Sequence, residues 1–376
     1  ATLYADNATF TNLTIQNNIF SGGWSGVWIS CISNDYATGT KINNNTFSEH
    51  KAESIFIRYH DAPEVNGNYI DNSEGYNYFR IFLYNCSNDL TVLKNIVKDD
   101  EYGGIVLSYC DGNTAKIGLV ANNFVDIGGT TEAYGIHTTH SDYQRIYNNS
   151  VRITSTHTTN GRAYYNYNGD DIDVQNNIFS NFGGGYAYYT NSISAITTSD
   201  YNDLFATGNN VGYWNGARTD LAAFQAASST DANSLSVNPV FISATDLHVT
   251  SSYIDSAGTY LALVTDDIDG EARDATYPDI GADEFTPTEF PLAGEFTIGG
   301  ITPNYETFTA AVEDLNNLGI KGTITFNVRS GTYTEQIELL EIAGASTTDT
   351  IVFQSESGDS TDVRLTINAQ SSEENY

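Results

Sequence analysis

The chain has 376 residues, of which 47 are acidic and 15 are basic, so its formal net charge at pH 7 is −32. A charge of this size repels phosphate backbones and anionic lipid surfaces, so we expect no nucleic-acid partner. The sequence contains no run of about 18 apolar residues, so direct membrane insertion is not predicted either. The 26 Tyr and 18 Phe are too many for a disordered acidic tail and predict a folded core.

Two features of the composition concern processing and redox chemistry. The chain contains no Met, and its first residues lack the features of a signal peptide, so we expect a segment of a longer protein that starts within a repeat. Cys31, Cys86 and Cys110 are an odd number of cysteines without metal-ligand spacing. They predict buried thiols rather than a disulfide framework or a zinc site.

A short pattern, in which Asn-Asn or a variant of it is followed by two largely apolar residues, recurs through the first 205 residues. Its closing residue falls at positions 20, 47, 70, 97, 125, 151, 179 and 205, so the step is 23–28 residues. Steps of this size with short β-rich segments predict the coils of a parallel β-solenoid.

One column of this pattern is Asn in seven successive repeats, and Asp203 takes the eighth place. The seven residues are Asn18, Asn45, Asn68, Asn95, Asn123, Asn149 and Asn177. Asn tolerates the left-handed conformation at a corner, and its amide can both donate to and accept from an Asn one coil away. We therefore interpret the column as a structural ladder.

A second strand can be aligned in each coil. Its first residue is aliphatic in five coils and is predicted to face the core, so its middle residue should face outward. The middle residues are Trp28, Phe56, Phe82, Val106, His137, Tyr165 and Tyr188. The aromatic members are candidates for stacking on sugar rings. Cover by loops and packing against a neighbouring chain are the alternatives.

The stretch that follows the repeat carries a second signature. Residues 267–273 read D-I-D-G-E-A-R and residues 279–284 read D-I-G-A-D-E. With the repeat, they resemble the right-handed parallel β-helix proteins of the pectate-lyase-like superfamily, in particular large secreted and cell-surface proteins of the Bacteroidota type, which close with D-x-x-G-x-x-R…D-I-G-A-x-E. The resemblance implies an all-β, right-handed parallel β-helix. It implies no activity, because the family contains both polysaccharide-active enzymes and non-enzymatic surface proteins.

The predicted organisation has four parts. Residues 1–205 form β-helix coils that are truncated at the N-terminus, and 206–285 form irregular closing coils with a short helix at 219–227 and strands at 246–249 and 253–255. Residues 286–293 form a linker. Residues 294–376 begin a second β-helix domain, truncated at its C-terminus, with an N-terminal cap helix from Phe308 to Leu318 that ends at Gly319. Its strands are predicted at 323–328, 331–337, 350–354 and 363–368.

Four residues on the aromatic side of the coils are candidates for acid–base chemistry. They are His137, Asp142, Asp170 and Asp171. Paired carboxylates are what a glycosidase requires, and the adjacent pair at 170 and 171 resembles that of polygalacturonase-like hydrolases, although the companion motifs of those enzymes are absent. A solvated column of turn residues or incidental calcium binding is the alternative for the acids, and a strand histidine without catalytic function is the alternative for His137.

The closing stretch offers a metal site and an ion pair. Asp267 and Asp269 are candidate calcium ligands, although Thr265 and Thr276 stand where an EF-hand needs carboxylates. Arg273 is expected to pair with Asp279 or Glu284 and lock the terminal coil. The sequence requires no cofactor, and calcium is the ion that these acids would bind.

Three functions remain open. The favoured one is a secreted or cell-surface β-helix protein with a structural or adhesive role, part of a longer array whose partners are further domains of the same chain and polysaccharide or other cell-surface components. The second is a polysaccharide lyase or glycoside hydrolase acting on acidic polysaccharide. The third is a non-catalytic carbohydrate-binding module that uses the aromatic side chains.

Overall fold

The structure, a computed structural model, describes residues 2–9, 11–72, 76–340 and 342–367. The chain divides into two compact units. The first comprises Ala1–Val249 and Tyr253–Thr286, and the second comprises Thr250–Ser252 and Pro287–Tyr376. The boundary thus falls within the predicted linker, since Thr286 belongs to the first unit and residues 287–376 belong to the second. None of the described helices is long and apolar enough to cross a bilayer.

The first unit is a parallel β-solenoid, which confirms the predicted fold class. Sheet 1 contains Leu3–Asp6, Val27–Ser30, Ile55–Arg58, Phe79–Tyr84, Gly103–Ser108, Ala133–Thr139, Gly161–Tyr167, Tyr186–Thr190, Gly212–Trp214 and Ala217–Arg218. Sheet 2 contains Thr14–Gln16, Lys41–Asn43, Glu64–Asn66, Thr91–Leu93, Gly118–Ala121, Gln144–Tyr147, Ile172–Gln175 and Ile196–Asp200. Sheet 3 contains Ile19–Ser21, Thr46–Ser48, Tyr69–Asn72, Ile96–Asp99, Phe124–Ile127, Ser150–Ile153, Ile178–Asn181 and Asp203–Ala206.

The coils stack in register, so that equivalent side chains lie above one another. In sheet 1, Val27, Ile55, Ile81, Ile105 and Ile136 are successive partners, and each is fully buried. This confirms the predicted core column. The reason is the two-residue alternation of a strand, which directs every second side chain into the solenoid.

The asparagine ladder lies at the corner between sheets 2 and 3. The described ladder residues are joined by amide-to-amide hydrogen bonds of 2.8–3.1 Å from Asn18 through Asn177. The predicted eighth member, Asp203, is wrong: Asn177 donates to Asn202 at 3.0 Å, and Asp203 is the partner of Ile178 in sheet 3.

The left-handed conformation at this corner belongs to a different residue from the one expected. Positive φ values occur at the residue before each ladder position, for example 58° at Asn17 and 54° at Asn122. The ladder asparagines themselves do not adopt it. The repeat thus divides two tasks between adjacent residues: the first turns the chain and the second bonds to the next coil.

The first part of the region after residue 206 covers the C-terminal end of the solenoid, and its later part packs along the outside of earlier coils. Helix α1 (Leu221–Ser228) begins after Asp220, whose carboxylate accepts from the N–H of Ala223 at 2.7 Å. Its buried Phe224 packs on Trp214 with ring centroids 5.4 Å apart. An antiparallel pair, Phe241–Ser243 and Asp246–Val249, follows.

Smaller elements complete the first unit. A short parallel pair, Ala37–Thr38 and His60–Asp61, lies outside the three sheets, and residues Ile193–Ala195 form one turn of 3₁₀ helix. The strand predicted at 253–255 is wrong, because residues 252–256 form turns. The three cysteines are buried thiols that form no disulfide among the described residues, as predicted.

The second unit contains the predicted helix with the predicted bounds. Helix α2 (Phe308–Leu318) begins after Thr307, whose hydroxyl accepts from Ala310, and ends at Gly319, which has a φ of 65°. Leu292–Ile298, Ile320–Val328 and Ile351–Ser355 form one parallel sheet, and Gly331–Thr334 pairs with Val363–Thr366. One 3₁₀ turn spans Ser360–Asp362. The last predicted strand extends to Asn368, which lies outside the described residues.

Candidate functional site

The outer face of sheet 1 presents one continuous column of mainly aromatic side chains. Strand register aligns Tyr4, Trp28, Phe56, Phe82, Val106, His137, Tyr165, Tyr189 and Tyr213. We call these residues the aromatic column. Four of the five predicted sugar-binding residues, Trp28, Phe56, Phe82 and Tyr165, belong to it.

The rings of the aromatic column largely stack on one another. Trp28 lies between Tyr4 and Phe56, with both centroid distances 4.9 Å and interplanar angles of 16° and 17°. Tyr189 stacks on Tyr213 at 4.2 Å. Sugar stacking uses the face of an aromatic ring, and here neighbouring coils cover the faces and leave ring edges toward solvent. The column is better suited to holding coils together than to binding a sugar.

The fifth predicted residue, Tyr188, is in the core. It is fully buried and contacts Tyr164 at 4.9 Å and Phe224 at 5.4 Å between ring centroids. The sequence alignment of this strand is out of register by one residue, because Tyr164 pairs with Tyr188 and Tyr165 pairs with Tyr189. Because both neighbours are tyrosines, composition did not distinguish the inward ring from the outward one.

His137 lies inside the aromatic column rather than beside an acid. It stacks on Tyr165 at 4.3 Å, and within the described residues neither ring nitrogen has a hydrogen-bond partner. Burial, together with the positive charge of Arg162, lowers the pKa of His137 to about 3. The imidazole therefore stays neutral at pH 7, and no described group can exchange a proton with it.

The three predicted acids lie in turns beyond the ends of the sheet 1 strands. The N–H of Asp142 donates to the carboxylate of Asp111 at 3.2 Å, and Asp170 accepts from the N–H of Asp171 at 3.0 Å. Asp171 forms an ion pair with Arg145 at 3.3 Å and has a φ of 51°. The structure thus places these acids in turn contacts and does not assemble them with His137.

A charged groove on sheet 3 was not predicted. The outward side chains Asp71, Lys98, Asp126 and Arg152 lie on successive coils and alternate in charge. Together with residues 244–245 they line a cavity of about 380 Å³. Arg152 contacts both carboxylate oxygens of Asp126 at 3.2 Å. Burial raises the pKa of Asp126 to about 6 despite this cation. The sequence did hold a signal, because each of the four residues directly follows the closing residue of its repeat.

A second unpredicted feature is a group of exposed rings. Trp24 and Tyr76 are both 53% exposed and their centroids are 5.7 Å apart, with Tyr78 6.2 Å from Trp24. The ammonium of Lys51 lies 5.8 Å from the ring centre of Tyr76. Unlike most rings in the aromatic column, these are not stacked between successive coils, so part of each ring is accessible to a ligand.

The closing motif, residues 267–284, forms a hydrogen-bonded lock around Arg273. The buried guanidinium donates to the Asp283 carbonyl, the Gly281 carbonyl and the Asn122 side chain, each at 2.9 Å, and contacts Glu284 at 3.3 Å. The expected pairing is therefore with Glu284.

Asp279 contributes to the closing motif through the backbone. Its two carboxylate oxygens accept from the N–H groups of Ser256 at 2.6 Å and Phe285 at 2.7 Å. The backbone N–H of Asp279 in turn donates to Glu284 at 3.1 Å. Its role is thus to hold two loop segments together, and Arg273 is not its partner.

The two predicted calcium ligands have different environments. Asp267 is fully buried, and its oxygens accept from the N–H groups of Asp269, Glu271 and Glu284 at 2.8–3.0 Å. Those bonds occupy its carboxylate, so Asp267 is a structural residue of the loop. Asp269 points away from it, toward His248, whose Nε2 is 2.9 Å from its carboxylate.

One comparison with known proteins bears on these coils. Residues 3–151 match the family model described as a right handed beta helix region. Searches of curated proteins and of solved structures found no match. The matched residues span coils of all three sheets, so the family model and the structure agree on the fold. This fold supports many functions, so function has to be argued from the side chains.

Proposed function

We propose that the chain is a secreted or cell-surface β-helix protein with a structural or adhesive role, one part of a longer multidomain array. The observation that carries the proposal is that repeated side chains contact their own equivalents: most rings of the aromatic column stack from coil to coil, and asparagine amides form hydrogen bonds along the solenoid. Such columns stabilise a long, stiff rod. The resemblance of the closing motif to Bacteroidota-type surface proteins supports the same role.

The acidic surface fits an extended protein outside the cell. The net charge of −32 favours solubility and disfavours contact between copies of the chain. Polysaccharides and other cell-surface components are the partners we propose, with further domains of the same chain.

The location is tested on intact cells of the source organism. Antibodies against the purified chain should label unpermeabilised cells, and external protease should remove the label. A signal that appears only after permeabilisation contradicts the proposal.

The absence of catalysis is tested with acidic polysaccharides. We expect no rise in absorbance at 235 nm and no new reducing ends. Turnover that disappears in Asp126→Asn or in Asp170→Asn, while a Trp28→Ala control keeps it, would replace the proposal with a lyase or hydrolase.

A second candidate function, carbohydrate binding without turnover, is favoured by the exposed rings at Trp24, Tyr76 and Tyr78. Partly exposed aromatic rings with a neighbouring cation suit a sugar ring that carries carboxylate groups. This site differs from the one predicted along the aromatic column.

Trp24 and Trp28 give a matched pair of variants for this test. On a glycan array, Trp24→Ala should abolish binding and Trp28→Ala should leave it unchanged, provided that both variants keep the wild-type circular dichroism spectrum. Loss of binding only in Trp28→Ala would return the site to the aromatic column, and no binding by the wild type would eliminate this candidate.

A further inference from the structure

His248 is held in one orientation against the outer face of sheet 3. Its Nδ1 is hydrogen-bonded to the carboxylate of Asp246. Phe124 packs against its ring in an edge-to-face contact, with centroids 4.9 Å apart. The other ring nitrogen, Nε2, therefore faces a fixed direction, toward Asp269 at 2.9 Å.

A second carboxylate lies in the same direction. One oxygen of Asp283, one of Asp269 and a ring nitrogen of His248 all lie within 4.8 Å of one another. Asp283 is only 6% exposed, and none of the described residues donates a hydrogen bond to its carboxylate. A buried carboxylate without a partner costs free energy, and a cation between these three groups would offset that cost.

We propose that His248, Asp269 and Asp283 bind a divalent transition-metal ion, with zinc as the best match. One imidazole nitrogen and two carboxylate oxygens are a ligand set that zinc accepts, with water completing the coordination. Calcium takes six to eight oxygen ligands, so the imidazole disfavours it.

Asp246 is a positioning residue for this site. Metal-binding histidines usually donate the remaining ring N–H to a carboxylate, which sets the tautomer and leaves the other nitrogen free for the metal. The contact between Asp246 and Nδ1 of His248 has this arrangement.

The proposed ion joins two segments that the sequence separates. His248 belongs to the antiparallel pair after helix α1, whereas Asp269 and Asp283 belong to the closing motif. Ligands at about 2.0–2.2 Å from one ion need only small shifts of these side chains from the positions found here. The exposed side chain of Asp269 has the freedom to make that movement. The role is structural, since the ion clamps the closing motif to the strand pair that packs on sheet 3.

Titration calorimetry on the whole chain, after dialysis against a chelator, measures the site directly. We expect one Zn²⁺ per chain, a higher melting temperature with Zn²⁺, and much weaker binding of Ca²⁺. Co²⁺ should give visible absorption bands typical of low coordination number with nitrogen and oxygen ligands.

Variants identify the ligands. His248→Ala, Asp283→Asn and Asp269→Ala should each weaken Zn²⁺ binding at least about tenfold, and Asp246→Asn should weaken it about 10–100-fold. Asp269 has a 58% exposed side chain, so its replacement tests the site without disturbing the core. His157→Ala, which changes a histidine without a carboxylate partner among the described residues, should bind as the wild type does.

Three results would overturn the proposal. They are the absence of stoichiometric Zn²⁺ binding, affinity unchanged in both Asp269→Ala and His248→Ala, and binding of Ca²⁺ as tight as that of Zn²⁺.

Discussion

Each asparagine of the ladder satisfies both halves of its amide. Asn123 is fully buried, and its Nδ2 donates to the carbonyl of Val92 and to Asn149, both at 2.8 Å. Its Oδ1 accepts from the backbone and side-chain N–H groups of Asn95 at 2.9 and 3.0 Å. Ionised aspartate has no hydrogen-bond donor, and Leu has neither a donor nor an acceptor. The corner therefore requires Asn, whose amide supplies both.

Replacing a ladder residue therefore removes partners from its neighbours as well. We expect Asn123→Ala to lower the free energy of unfolding by about 2–4 kcal/mol, because buried groups on two adjacent coils lose their hydrogen bonds. Urea denaturation measures this difference. The control Asn209→Ala changes an exposed residue and should alter stability by less than about 0.5 kcal/mol. Equal effects of the two variants would contradict a structural role for the ladder.

Asp203 is an acid in an environment that disfavours charge. One carboxylate oxygen accepts from the N–H of Val237 at 2.9 Å, while the other is buried and has no partner among the described residues. Burial raises the pKa of Asp203 to about 8 from an ordinary value of 3.8. Folding therefore makes this group bind its proton more tightly.

The pH dependence of stability follows from that shift. Between about pH 4 and 8 the folded chain keeps a proton that the unfolded chain has lost, so the contribution of Asp203 to stability falls as pH rises. Asp203→Asn should raise the free energy of unfolding by about 1–3 kcal/mol at pH 7 and have little effect at pH 4. Thermal melts at both pH values measure it.

Asp89→Asn changes an exposed acid and is the control. At either pH its free energy of unfolding should differ from the wild-type value by less than about 0.5 kcal/mol. A wild-type-like response of Asp203→Asn at both pH values would mean that Asp203 ionises normally.

At the scale of elements, Arg273 is one of several residues that join the closing motif to the coils, together with hydrogen bonds from Asn148 and to Ser150. Arg273 donates to carbonyls within the motif and to Asn122, which stands at a coil corner. A planar guanidinium reaches acceptors in several directions at once, which a lysine ammonium at this position cannot do. The motif is thus a clamp that depends on the geometry of arginine as well as its charge.

Arg273→Lys should therefore destabilise the closing motif although it keeps the charge. We expect a loss of about 2–4 kcal/mol and faster hydrogen exchange across residues 267–284, with coils near the N-terminus unaffected. Arg58→Lys, at a partly exposed arginine that donates to Ser30 at 2.8 Å, is the control and should leave exchange in the motif unchanged. Faster exchange spread evenly over the chain would show that Arg273 does not act locally.

At the scale of the whole molecule, the excess of 32 negative charges opposes compaction. Salt screens repulsion between exposed charges, with a Debye length of about 30 Å at 0.01 M and about 8 Å at 0.15 M. We expect the melting temperature at pH 7 to rise by about 2–4 °C between these NaCl concentrations, which corresponds to roughly 1 kcal/mol.

The same measurement at pH 4 provides the control for the salt effect. Many carboxylates are then protonated, so the rise should shrink. A fall in melting temperature with salt at pH 7 would show instead that attractive ion pairs, such as Arg145 with Asp171, outweigh the repulsion.

Much of the fold could be predicted because its information is local and repeated. The step of the repeat, the inward aliphatic column and helix α2 each depend on residues a few positions apart, and strand alternation or helical spacing then decides which side chains are buried. Seven coils with Asn at one place are hard to explain except by contact between equivalent residues.

The functional surfaces required the tertiary structure, because they depend on registers and contacts that cross the chain. In one coil the register of the strands differs by one residue from the alignment of the sequence. Tyr188 therefore lies in the core, and Asn202 rather than Asp203 continues the ladder. Whether a ring face is open to solvent depends on the side chain that the next coil places against it. For this reason Trp24 is exposed, whereas Trp28 is stacked between two rings. The sequence by itself determined a β-solenoid and its repeating contacts. Only folding brought His248 to Asp269 and Asp283, because long-range packing decides which distant side chains meet.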